Sequence, residues 1–255
     1  MERSTAYGDG IFETLRIANG YAYFVTYHYQ RMLEGALILG FTHNVVSSQQ
    51  QFTTTIATYI QTHQLTNARV RLQLSRVGAM GYACASSVSE LVITHATLPT
   101  SGYMLPALPI SYGVYTSNYK PCVPLSNVKT TSALLYVLAG NYALQNNCEE
   151  VLLLNQHQRV AEGYKSNVFI VKNNIVITPP LIEGALNGVM RKVILELCAT
   201  HSITTLETPI KTSDVANATE VWFTNVIQGI NCATPTITIA KQLITLINSM
   251  ATNSK

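Results

Sequence analysis

The sequence predicts a mixed α/β (α+β) protein of two domains, and three observations predict it. The chain has 255 residues, 47% hydrophobic and only 11% charged, enough to bury two cores of ordinary size. Strand and helix patterns mix throughout rather than segregating into one class. Between two such mixed regions lies LPTSGYMLPALP, with three prolines and one glycine, which reads as a linker over residues 99–109. The expected domains are therefore a small one over 1–98 and a large one over 110–255.

In the first domain, GIFETLRIANGYAYFV reads as two strands around Asn19-Gly20, the strongest short hairpin signal. TYHYQRMLEGALILGF places Met32, Leu33, Ala36, Leu37 and Leu39 at helical spacing. A second helix is expected over 47–63, then strands at ARVRLQLSRV and ELVITHATL. The second domain opens with a strand at ISYGVYT and a helix in TTSALLYVLAGNYALQNN, with Thr130 or Thr131 as its cap. Strands follow at EVLLLN, NVFIVK and IVITP, the last two joined through Asn173-Asn174. A helix is expected from Gly188, with Asn187 as its cap and Val189, Val193, Ile194 and Leu197 facing inward. The strand EVWFTN then leads into VIQGI.

Composition excludes several functions. The longest apolar runs fall far short of a membrane span, so no membrane partner is expected. Net charge is +3 without Lys/Arg runs, which argues against nucleic acid. The five cysteines are odd in number, dispersed and without a C-x-x-C pair, so they read as reduced thiols in a cytoplasmic protein, with no metal site. MERSTAYGDG lacks the basic-then-apolar pattern of secretion.

One stretch points to chemistry. In RVAEGYKSNVFIVKNNIVITPPLIEGALNGVMRKVILEL, Glu162 sits where one apolar strand pattern gives way to another, and Gly188 opens a helix. A buried acid near a helix N-terminus suits a ligand with one basic ring nitrogen and one phosphate, as in pyridoxal 5'-phosphate. That cofactor requires a lysine for the imine, a carboxylate for the pyridine nitrogen and donors for the phosphate. Lys129, between a Pro-rich extended segment and a helix, is the candidate lysine, and Glu162 the candidate carboxylate. Backbone N–H groups of Val189 and Met190 are natural phosphate donors. A second N-terminus is expected after Asn225, and Arg31, in H-x-x-R, offers a bidentate cation. The same residues also fit plainer roles: a surface lysine, a solvated carboxylate in a turn, an exposed helix arginine.

Taken in order along the chain, these segments resemble the class IV aminotransferases, the fold-type-IV pyridoxal phosphate enzymes. That family includes branched-chain and D-amino-acid aminotransferases and aminodeoxychorismate lyase. YGDGIFETLR resembles its GDG-x-F-E opening, HYQRMLEGALILGF its H-x-x-R-L helix, and VKTTSALLYVLA its lysine segment. EEVLLLNQHQRVAEGYKSNVFIVKNNIVITPP resembles its most recognisable block, and LNGVMR and EVWFTNVIQGI its two phosphate turns. The resemblance implies a two-domain D-amino-acid aminotransferase-like fold. It implies Lys129 as the Schiff-base lysine, Glu162 on the pyridine nitrogen, and Arg31 on the phosphate. Val189, Met190, Asn225 and Val226 would complete the phosphate cradle, and Phe12 would line the substrate pocket. It further implies a cofactor-binding large domain and a homodimer, with active sites near the subunit and domain interfaces.

The chain departs from the family's pattern in four places. Leu134 stands five residues after Lys129, where branched-chain enzymes usually carry tyrosine. The phosphate turns read GVMR and TN where G-I-T-R and G-T are common. Met80, in GAMGY, replaces an arginine of G-R-G-Y; Lys165 is a candidate replacement cation for a substrate carboxylate, and a solvent-pointing Lys165 fits equally. Members usually have about one more strand pair before GDG, which here begins after seven residues. That strand pair is either dispensable or outside this sequence. The expected substrate is a small amine or amino acid. The leading activity is an aminodeoxychorismate lyase-like elimination of pyruvate from 4-amino-4-deoxychorismate to give 4-aminobenzoate, on the folate route. The alternative is a branched-chain or D-amino-acid aminotransferase using the same cofactor residues.

Overall fold

The computed structural model describes residues 2–253. By compactness the chain divides in two. The first unit holds the chain to Gly102, Val128–Ala133 and the chain's end from Ala251. The second holds Tyr103–Asn127 and Leu134–Met250. The lysine segment, expected in the second domain, thus packs with the first. The cause is backbone pairing: the Phe12 N–H donates to Lys129 O at 3.0 Å, and the Thr131 N–H to Gly10 O at 2.8 Å.

The first unit comprises α1 (Arg3–Tyr7), β1 (Gly10–Ala18), β2 (Tyr21–Ala22), α2 (Val25–Leu39), α3 (Asn44–Ser47), α4 (Gln49–Thr62), β3 (Ala68–Arg76) and β4 (Ser89–Thr97). Its strands form one antiparallel sheet in the order β2-β1-β3-β4. The Asn-Gly hairpin forms as expected: Asn19 and Gly20 take φ of 52° and 80°, the left-handed pair a two-residue turn needs. Ser48 caps α4, accepting the Gln51 N–H at 3.1 Å.

Strand alternation then sorts the side chains of this sheet. Ile11, Leu15 and Ile17 of β1 and Val70, Leu72 and Leu74 of β3 join Met32, Ala36, Phe52 and Ile56 of the helices in one core. Glu13 has the parity of Ile11 and Leu15, so it is drawn into that core. Phe12 and Thr14 take the other face, and so does Arg71, directly opposite Thr14 in the ladder.

The second unit comprises β5 (Tyr112–Lys120), a 3₁₀ turn (Pro124–Asn127), α5 (Leu134–Gln145), β6 (Glu150–Asn155), β7 (Val160–Gly163), β8 (Asn167–Lys172) and β9 (Ile175–Thr178). A second 3₁₀ turn (Leu181–Glu183), α6 (Val189–Thr200), β10 (Thr205–Glu207), α7 (Thr212–Ala216), β11 (Glu220–Asn225), β12 (Gly229–Cys232) and α8 (Thr238–Asn253), as far as Met250, follow. Two sheets result, ordered β10-β9-β8-β11-β12 and β5-β6-β7. Val151, Leu153, Ala139 and Ala143 pack α5 on the smaller sheet. Asn173 and Asn174, with φ of 52° and 61°, make the expected β8–β9 turn.

Three local expectations are corrected. Helix α5 starts at Leu134, so neither threonine caps it. Thr130 instead bridges Ile11, and the Thr131 hydroxyl donates to Gly10 O. The cap of α6 is Gly188, not Asn187. No helix follows Asn225; β11 and β12 form a hairpin in which Asn225 faces Gly229. Among the described residues no helix is long and apolar enough to cross a membrane, and all five cysteines are unpaired thiols.

Candidate active site

In the first unit, Lys129 is half-buried, its ammonium 4.4 Å from the centroid of the Phe12 ring. The Arg71 guanidinium stacks on the same ring at 3.5 Å. Arg71 also donates to Gln73 Oε1 at 2.9 Å, and among the described residues it has no carboxylate partner. Burial, and then the neighbouring Arg69, lower its pKa from the ordinary arginine value.

Beneath the sheet lies a second arrangement. Arg31 forks onto Glu13, Nε to Oε1 at 2.7 Å and Nη2 to Oε2 at 2.6 Å. His28 Nδ1 meets Glu13 Oε2 at 2.6 Å. Burial alone would raise the Glu13 carboxyl, but Arg31 and His28 together hold it down at about 2. Burial depresses the His28 pKa against the pull of Glu13, with Arg31 and Lys129 adding to the depression. A neutral His28 donates through Nδ1 to Glu13, which leaves Nε2, buried and without a hydrogen-bond partner among the described residues, as an acceptor. Arg31 is therefore not the exposed helix residue of the plainer reading: its side chain is 9% exposed and oriented by a carboxylate.

In the second unit, Glu162 is buried and opposes Leu153, so it shares the face on which α5 packs. Three donors reach it. The Tyr136 hydroxyl donates to Oε1 at 2.7 Å, and Lys120 Nζ forms a short ion pair with the same oxygen. The Leu186 N–H donates to Oε2 at 2.8 Å. Burial first, and then Glu162, raise the Tyr136 pKa well above the ordinary tyrosine value, so this phenol remains a donor.

The loop carrying Leu186 is tied from both sides. Asn167 Nδ2 donates to Leu186 O at 2.8 Å, and Asn127 Nδ2 to Leu181 O and Ala185 O at 2.9 and 2.6 Å. A Cβ at Gly188 would lie 1.8 Å from Asn167 Oδ1, so a side chain there would push the Asn167 amide from its place on Leu186 O. The helix then begins at Val189 and Met190, both buried, whose N–H groups have no intrahelical partner by helix geometry. At the other turn, Asn225 Oδ1 accepts the N–H groups of Ile227 and Gln228 at 3.0 and 2.8 Å, and Val226 is buried in the bend.

Two expected pocket residues are placed less favourably. Met80 is 51% exposed, and exposed Lys165 donates to Glu149 O at 2.8 Å. Leu134 is 69% exposed on α5, while Tyr136, two residues on, points to Glu162.

A model of the amino-transferase class IV family matches residues 10–232. The chain belongs to the class IV aminotransferases. They are pyridoxal phosphate-dependent enzymes, so this chain is one. It is 28% identical to a D-alanine aminotransferase of Staphylococcus aureus over 224 residues, 86% of this chain and 77% of the relative. Its fold matches a branched-chain aminotransferase of Thermoproteus uzoniensis with a TM-score of 0.88, at 20% identity, covering 100% and 89% of the two chains. It also matches 4-amino-4-deoxychorismate lyase of Pseudomonas aeruginosa with a TM-score of 0.79, at 24% identity, covering 97% and 93%.

The residues present fit the cofactor. Glu162 offers about four lone-pair sites and uses three, which leaves one on Oε2 for a ring N–H. The bare first turn of α6 supplies phosphate donors. Sequence reasoning missed Lys120, Tyr136, Glu13 and Arg71. For Glu13 the signal was present, as an acid at a core-parity position of IFETLRI; for Arg71 it was the polar parity of Arg69, Arg71 and Gln73.

Proposed function

We propose that this enzyme is an aminodeoxychorismate lyase-like protein that releases pyruvate from 4-amino-4-deoxychorismate to leave 4-aminobenzoate. The observation that carries the reading is the Phe12 ring flanked by Lys129 at 4.4 Å and Arg71 at 3.5 Å. A flat apolar surface, an amine and a cation without a carboxylate partner suit a cyclic amine that bears carboxylates. Arg71, rather than Met80 or Lys165, supplies the positive charge for a substrate carboxylate.

Pyridoxal phosphate, when bound, supplies an aldehyde for the amine and a ring that accepts electrons. Lys129 is the amine that would hold that aldehyde, and it is the base that would take the proton from the substrate carbon bearing nitrogen. Glu162 would hold the ring nitrogen, offering the acceptor site left on Oε2. Arg31, oriented by Glu13, would be a phosphate ligand in this reading, as would the Val189 and Met190 N–H groups and the turn at Asn225 and Val226. Aromatisation of the product provides much of the driving force, so placement is most of the protein's task.

A second reading, a D-amino-acid or branched-chain aminotransferase, is favoured by the 28% identity to D-alanine aminotransferase. It uses the same Lys129 to move a proton between substrate and cofactor. The enzyme works as a cytoplasmic homodimer in this reading and the first. The exposed apolar side chains Leu134, Val137 and Leu144 along α5, at 69%, 54% and 78% exposure, are the support for a covering subunit.

The test is to supply cofactor-saturated protein with enzymatically generated 4-amino-4-deoxychorismate and follow 4-aminobenzoate. Product that disappears in Lys129→Ala is expected. No product, with D-alanine or a branched-chain amino acid converted to its keto acid instead, would establish the second reading.

A further inference from the structure

We infer that Lys120 is a positioning residue of the cofactor site, fixing the Glu162 carboxylate so that one oxygen is occupied and the other is presented to the ring nitrogen. The inference rests on the reading of Glu162 given above. Lys120 is 3% exposed, so its ammonium is as fully withdrawn from water as the carboxylate it meets. A buried ammonium persists only with partners, and Lys120 has three. These are Glu162 Oε1, the Tyr136 hydroxyl at 2.8 Å and Ser126 O at 3.4 Å.

The geometry is asymmetric in a useful way. Both side-chain donors, Lys120 and Tyr136, converge on Oε1, and among the described residues only a backbone N–H reaches Oε2. The three donors come from three elements: the end of β5, helix α5 and the loop before α6. A carboxylate held from three directions cannot rotate to exchange its oxygens without breaking a charge-assisted bond. Tyr136 could be replaced by water in this task; the ammonium could not, because it is the counter-charge.

The backbone is shaped to deliver Lys120. Strand β5 pairs with β6 in register from Tyr112 to Tyr115, and pairing resumes only at Lys120 with Asn155. Four residues of β5, 116–119, thus stand against Leu154 alone of β6. This irregularity sets Lys120 opposite Asn155, from where its Nζ reaches Glu162 and Tyr136 of α5. Bulges re-aim side chains in this way. A lysine needed only to fill space would not require one.

The plainer alternative is a structural ion pair, indifferent to cofactor. The two are separated by cofactor affinity, measured by absorbance titration of apo protein with pyridoxal phosphate, alongside thermal unfolding of each apo variant. Lys120→Met is expected to weaken binding about tenfold, and Lys120→Arg to restore it to within about twofold. Glu162→Gln should weaken binding as well, and adding Lys120→Met to it should change affinity no further, since Lys120 acts through Glu162. A folded Lys120→Met with wild-type affinity, or an undiminished loss in the Glu162→Gln background, would overturn the inference alone. Wild-type affinity in Glu162→Gln would overturn it together with the assignment of Glu162. Should Lys120→Met fail to fold, Lys120→Arg decides: a loss beyond tenfold contradicts a role that any well-placed cation can fill.

Discussion

Glu13 and Glu150 are both 1% exposed, one in each unit, and burial raises both carboxyls, yet their pKa values end on opposite sides of the ordinary value. Glu13 has a guanidinium fork and an imidazole on its two oxygens, and its carboxyl is held at about 2. Glu150 lies beside Gly163 and accepts its own strand's Val151 N–H at 3.2 Å, and burial lifts it to about 7, against the opposing pull of Lys165, Val151 and Ser166. Its Oε2 and the nearby Ser166 hydroxyl are buried without a hydrogen-bond partner of good geometry. The same residue type at the same burial is thus an anchored charge in one place and a near-neutral acid in the other. Partners, not burial, decide which. Glu162, also buried, resembles Glu13 in having donors on both oxygens.

That contrast can be broken at either end. Glu13→Ala leaves Arg31 and His28 buried without their carboxylate, and the expected cost is about 3–5 kcal/mol in denaturant unfolding. A cost below about 1 kcal/mol would mean that the fork contributes little. Glu150→Gln should do the reverse and stabilise the protein. Its folded pKa of about 7 lies above the ordinary 4.5, so the neutral carboxyl contributes stability below about pH 4.5 that is lost as pH rises through 7. The substitution should therefore add up to about 3 kcal/mol at pH 8 and nothing at pH 4. Unfolding curves that shift equally at both pH values would remove Glu150 as the cause. For Glu13 the sign is opposite. Its depressed pKa contributes stability above about pH 4.5 that is lost as pH falls toward 2.

The smallest expected effect sharpens the substrate side. Arg71→Met should raise KM for a carboxylate-bearing substrate about tenfold or more, which corresponds to about 1.4 kcal/mol, and leave cofactor affinity unchanged. An unchanged KM would show that the stacked guanidinium does not meet substrate.

Much of this architecture was legible because it rests on short-range rules. The Asn19-Gly20 and Asn173-Asn174 turns are written in residues that tolerate left-handed backbone, and the core faces of β1 and β3 in strict alternation. Lys129, Glu162 and Gly188 stand in segments whose order along the chain carries the resemblance. What escaped depends on long-range pairing. Helix α5 starts four residues after Thr130 because the threonines are taken up by β1. Lys120 acquires its meaning only through a bulge against β6, and Tyr136 only through the turn of α5 that starts at Leu134. Nothing local in SNYKPCVPLSNVK distinguishes the lysine that reaches Glu162 from the one that reaches Phe12.

That pair of lysines is where the account is most directly tested. Holoenzyme reduced with borohydride fixes the cofactor to whichever amine holds it, and peptide mass mapping then identifies the site. The expected label is on Lys129 alone, with Lys120 unmodified because its ammonium is committed to Glu162. A label on Lys120, or on any other lysine, would contradict the assignment of the two amines and the division of labour built on it.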